Sequence, residues 1–131
     1  MLFNQQTAQF LRSIALTAAF VCAAPAQAQD AMLSPADIQS QWVGKTVFVK
    51  VATGALAGRT LSLQLKANGT GQLGEAFQDT GVWRLSETGY CATWTRIRGG
   101  QEGCLTVVVK GGQTQVLNAD GSLNSTVTEV R

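Results

Sequence analysis

The sequence predicts a small all-β domain, an antiparallel eight-stranded meander barrel or, as the alternative, a β-sandwich, with one short N-terminal helix and one disulfide. Three observations carry this. Apolar residues alternate with polar ones in short segments after Lys45, the period of a strand with one buried face. Glycine, asparagine and aspartate pairs punctuate the chain between those segments. The connections are too short for crossover helices, so sequential strands must pair antiparallel. A closed barrel of such strands has no bare edges to protect.

The chain has 131 residues, and its first 28 read as a signal peptide. Arg12 precedes an apolar stretch, Ile14–Ala24, then Pro25 and the small-residue site Ala26-Gln27-Ala28. The stretch is about half of the roughly 20 residues a membrane-spanning helix needs. Cleavage near Ala28 implies a periplasmic or secreted protein of the bacterial envelope. It also removes one of the ten basic residues, which leaves eight acidic ones nearly balanced and a net charge of +1. No basic stripe remains, so neither nucleic acid nor stable membrane insertion is expected.

Residues 29–33 read as a flexible arm, and 34–131 as a single domain. Ser34-Pro35-Ala36-Asp37 announces a helix, with a serine cap, proline at the first helical position and an acid at the third. Leu33 and Ile38 are placed to pack on each other across the cap, with Trp42 one turn further on the same face. Gly44 ends the helix.

The first strand runs through Val47, Val49 and Val51, the second through Leu61, Leu63 and Leu65. Asn68-Gly69 then marks a tight hairpin. Further strands are expected over 70–77, 81–86, 90–97, 104–110, 114–118 and 122–130. Asp79-Thr80-Gly81, Glu87-Thr88-Gly89, Gly99-Gly100, Gly111-Gly112 and Asp120-Gly121 supply the intervening turns. Asn124-Ser125-Thr126 reads as a polar run on an edge strand.

Cleavage would also remove Cys22, leaving Cys91 and Cys104. In an exported chain an isolated pair reads as a disulfide rather than a metal site. A hairpin centred on Gly99-Gly100 would set Cys91 opposite Val108, so a Cys91–Cys104 bond requires a shifted or bulged register, or a bond to the returning loop.

The chain contains no histidine. That excludes Ser-His-Asp and Cys-His catalysis and the commonest transition-metal ligand. No cofactor motif is present, and no metal site is expected. Asn118-Ala119-Asp120-Gly121-Ser122 lacks the carboxylates of a calcium loop and reads as a hairpin turn. Trp83 shares a face with Leu85 and reads as core. Tyr90, Trp94, Arg96 and Arg98 share one face of their strand and its continuation, and arginine with aromatics is the composition favoured at recognition surfaces.

Gly81-Val82-Trp83-Arg84-Leu85, Gly89-Tyr90-Cys91-Ala92-Thr93-Trp94, Cys104-Leu105-Thr106-Val107-Val108 and Asp120-Gly121 together resemble the pattern of a family of small, uncharacterised exported proteobacterial β-barrel proteins. The resemblance covers about residues 44–128 and implies architecture without an activity. Exported inhibitors of lysozymes and proteases look similar in size and barrel form, an analogy at the level of fold alone. The expectation is therefore a non-enzymatic binding module for an envelope protein or a small apolar ligand. A carboxylate-based hydrolase of envelope glycans using Glu75 and Asp79, and a passive structural component of the envelope, are the alternatives.

Overall fold

In the computed structural model, residues 17–19 and 30–131 are described. The expected signal peptide lies, apart from 17–19, outside the described residues. Nine strands and one helix follow in the order β1 (Ala31–Met32), α1 (Pro35–Gln41), β2 (Thr46–Val51), β3 (Thr60–Leu65), β4 (Thr70–Glu75), β5 (Asp79–Leu85), β6 (Gly89–Trp94), β7 (Gly103–Lys110), β8 (Gln113–Leu117) and β9 (Leu123–Val130). Strands β2 to β9 pair in sequence order, and β9 pairs back onto β2, so the fold is a closed, eight-stranded antiparallel meander barrel. Among the described residues no helix is long and apolar enough to cross a membrane.

Closure follows from the alternation. Val47 and Val49 on β2, Leu61, Leu63 and Leu65 on β3, Leu73 on β4 and Val116 on β8 all turn inward and are buried. A register shift between Phe48 and Val49 on β2, and another between Val116 and Leu117 on β8, bend the wall where β9 joins it. Strand β9 is consequently paired on both sides, which corrects its reading as an edge. Its Ser125 faces the core and is buried.

Residues 31–33 of the expected arm are held against the barrel wall. Strand β6 begins opposite Thr106, so the same side of β7 beyond that point has no neighbour in the barrel. Ala31 and Met32 fill the gap opposite Val109 and Val108, and the Leu33 amide donates to the Val107 carbonyl at 2.8 Å. Backbone groups that would otherwise sit unpaired at a sheet edge are thereby satisfied.

Strand β1 delivers the chain to the helix. Ser34 caps α1 in a full capping box: its hydroxyl accepts from the Asp37 amide, and the Asp37 carboxylate accepts from the Ser34 amide. At seven residues α1 is too short to be stable alone, and it is held by what it buries. Ile38 and Trp42 insert into one end of the barrel among Leu33, Leu65, Val47 and Val107. Trp42 meets Tyr90 edge to face, ring centroids 6.0 Å apart. Gly44, with φ +80°, lets the chain leave the helix and donate to the Leu65 carbonyl. This end of the barrel is plugged.

Cys91 and Cys104 are bonded and are direct cross-strand partners, with Cα atoms 4.0 Å apart. The register centred on Gly99-Gly100 is not adopted. Arg98 itself takes a left-handed conformation (φ +56°) ahead of the two glycines, and residues 95–102 stand outside the ladder around a single 3₁₀ turn. The centre of the hairpin moves back to between Ile97 and Arg98, which sets the cysteines face to face. Closing this loop stabilises the fold by about 3 kcal/mol in the chain-entropy model.

Tyr90 is the only tyrosine in the chain and is 3% exposed. Burial alone pushes its phenol well above the ordinary value. The native state favours the neutral phenol, whereas an unfolded tyrosine ionises near pH ~10. This contribution to stability is therefore whole below about pH 10 and is lost as pH rises from there towards the folded value. Ultraviolet phenolate absorbance of the folded protein should stay flat through about pH 10 and rise only as the fold is lost. Tyr90→Phe should flatten the alkaline loss of stability. A phenol ionising near pH ~10 with the barrel intact would contradict this placement.

Candidate functional site

The other end of the barrel is open and holds a cavity of about 290 Å³. Its walls are the inner-face aliphatics of five strands, among them Val49, Leu61, Leu63, Leu73, Leu105 and Val116. Tyr90 separates it from the plugged end, lining the cavity while its ring meets Trp42. Several inward positions here carry almost no side chain, of which Ala92 and Gly103 line the cavity. Gly71 and Gly81 pair across β4 and β5, Ala92 lies between Tyr90 and Trp94, and Gly103 opens β7.

Trp94 occupies part of the room the glycines leave. A β-carbon on Gly71 would lie 2.9 Å from Trp94 Cη2 and 3.2 Å from Cζ3, and one on Gly81 would lie 2.9 Å from Cε3. The indole therefore lies along this glycine lane as one wall of the cavity, half-buried. Trp83, one rung away, is half-buried against the core, and its indole N–H donates to the Lys66 carbonyl at 2.8 Å.

Two loops form the mouth. The β2–β3 loop brings Thr53, Ala55 and Leu56, and the β6–β7 loop brings Ile97 and Arg98. The Arg98 guanidinium packs against Gly103, where any β-carbon would collide with it. It reaches Asn118 Oδ1 at 3.5 Å, and Asn124 Nδ2 donates to that same oxygen at 3.0 Å. The rim is thus a short polar chain over an apolar interior, and Ser125 adds one buried hydroxyl within. An apolar cavity with a few convergent polar groups is the general form of a small-molecule site.

Of the four residues expected to form a recognition strip, Tyr90, Trp94 and Arg98 come together around this cavity, with the two aromatics facing in. Arg96 does not join them. Strand β6 ends at Trp94, and the Arg96 guanidinium turns to the β4–β5 connection, 4.6 Å from the Phe77 ring centroid, with the Gln78 carbonyl as an acceptor. Its amide donates to Asp79 Oδ2 at 2.9 Å while Asp79 Oδ1 accepts from the Thr80 amide. Asp79 is a buried clamp between β5 and the chain leaving β6, with both oxygens engaged. Glu75 is exposed in a left-handed conformation (φ +68°). Neither carboxylate lines the cavity.

On the outer wall Arg84 forks onto Glu102, at 3.1 Å from Nε and 2.8 Å from Nη2. This pair holds the Glu102 carboxyl below its usual range and raises the guanidinium. Cys91, Glu102 and Cys104 lie close enough to suggest a metal cluster, but the two sulfurs are bonded to each other and offer no thiolate.

Sequence reasoning passed over Leu56, Ile97, Asn124 and Ser125. The usable signal was the set of small residues at inward positions, Gly71, Gly81 and Ala92, interleaved with larger ones on the same strands. No family model, curated protein or solved structure matches the chain.

Gly71→Ala should cost about 1–3 kcal/mol in denaturant unfolding through collision with the indole. In a Trp94→Ala background most of that cost should vanish, because residues in contact couple. Strict additivity would show that the indole does not rest on Gly71.

Proposed function

We propose that the protein is an exported, non-enzymatic binding module that takes a small, largely apolar molecule into the open end of its barrel. The observation that carries this reading is the cavity: apolar walls, one plugged end, and a polar rim at the only described mouth. Trp94 faces inward rather than standing on a surface strip, which favours an enclosed ligand over a protein docked on that strip. The paired cysteines suit an oxidising compartment, in keeping with the signal-like first 28 residues. The absence of histidine from the chain and the engagement of Asp79 in backbone hydrogen bonds favour binding over catalysis. A volume of 290 Å³ holds about ten groups the size of a water molecule at ~30 Å³ each, which sets the scale of the ligand at a chain of about ten carbons or two small fused rings.

The test is binding of 1-aminonaphthalene, a small apolar dye whose emission shifts to the blue on leaving water. It should bind the purified protein in the micromolar range, quench Trp94, and be lost in Leu105→Trp, which fills the cavity. Thermal melts of the variant establish that it is folded, and Ala92→Leu supplies a second way to fill the same space. Dye binding unchanged in both folded variants would exclude the barrel interior as the site.

A further inference from the structure

Among the side chains lining the cavity, Arg98 is the one that carries a charge. No carboxylate near this end of the barrel pairs with it among the described residues. Glu102 is paired with Arg84, and Asp79 accepts from two backbone amides with the Arg96 guanidinium 4.0 Å away. Among the described residues Arg98 makes no ion pair, and its one side-chain hydrogen bond is the long contact to Asn118.

The placement of that guanidinium is held at a cost. Among the described residues Arg98 is one of two non-glycine residues with a left-handed backbone, a conformation that strains a residue with a β-carbon. Gly99 and Gly100 continue the left-handed run, and Gly103 supplies the bare backbone on which the guanidinium lies. Arg98 is exposed, so its guanidinium meets both solvent and the cavity mouth. The joint effect of these features is to set a planar, permanently charged donor at the edge of an apolar hole, with donor N–H groups to spare.

We infer that the ligand is a monoanionic amphiphile: an apolar chain of about ten carbons enters the barrel, and a carboxylate head stays at the rim on Arg98. Asn124 and Thr53 are polar residues lining the same cavity, and Asn124 Nδ2 donates to the Asn118 oxygen that Arg98 reaches. A carboxylate matches the guanidinium fork, and its remaining lone pairs stay in water at the mouth. A cationic head would face Arg98 with nothing to offset the repulsion. This inference rests on the cavity being the binding site.

The experiment compares decanoate, decanol and decyltrimethylammonium, each below its micellar concentration, by displacement of 1-aminonaphthalene from the full-length protein. Decanoate should bind about tenfold more tightly than decanol, as one charge-assisted contact allows, and the ammonium should be the weakest. Arg98→Gln should remove the advantage of decanoate while leaving decanol unchanged. Arg84→Gln, on the outer wall, should change neither. Added salt should weaken decanoate and leave decanol alone. Equal binding of decanoate and decanol to the wild type would overturn the anionic head and leave the apolar cavity site standing. An equal loss of both ligands in Arg98→Gln would overturn it too, by showing that Arg98 only packs. Binding of none of the three, with no dye to displace, would remove both readings together.

Discussion

Pairing of β9 with β2 is the contact on which the rest of this structure depends. Until it forms, β2 to β9 are a meander with two bare edges and two faces. Once it forms, one face becomes an interior and the edges vanish. Each inward side chain then acquires neighbours far away in sequence, and the sheet becomes a vessel with two ends. The ends are treated differently. Strand β1 carries the chain along the uncovered part of β7 and delivers α1 to one opening, where Ile38 and Trp42 close it. Among the described residues nothing comparable reaches the other opening, so the difference between a filled core and a cavity follows from where a single short helix docks.

The cavity itself follows from side-chain size. A barrel of eight strands has an interior just wide enough for side chains to fill it. Here the inward positions at 71, 81, 92 and 103 are glycine or alanine; Trp94 lies against the first two and Arg98 against the last, while Ala92 borders the cavity. A larger side chain at 92 would bury more apolar surface, whereas at 71, 81 and 103 a β-carbon would collide with Trp94, the Thr93 backbone or Arg98. An interior left less than full is the usual cost of a binding site. The left-handed Arg98 belongs to the same pattern, since its strain is local and its guanidinium is delivered to the mouth.

Much of the fold was legible because its determinants are local. Alternation placed Val47, Leu61, Leu63 and Leu65 on the inner wall, and the Ser34–Asp37 cap was readable from four residues. The disulfide was legible as a pair but not as a register. The Gly99-Gly100 signal is real, but Arg98 adopts left-handed geometry before it, and a turn propensity cannot count how many loop residues precede the ladder. Strand β1 was invisible for another reason: two residues with no pattern of their own pair only because β6 stops short of Val107. The site was half legible. Residue alternation carries Tyr90 and Trp94 inward, but it stops at the strand end, so Arg96 leaves the face that a continued period of two would assign it. Leu56 and Asn124 reach the mouth through loop packing and barrel closure, which no single segment encodes.

Solution NMR with methyl-labelled protein and bound decanoate addresses the open barrel end most directly. Intermolecular contacts from the ligand chain to the methyls of Val49, Leu63, Leu105 and Val116 are the expected result, with the head-group end nearest the β6–β7 loop. Contacts confined to exposed apolar side chains such as Met32, Val82 and Val130, with the interior methyls silent, would contradict a ligand held inside the barrel.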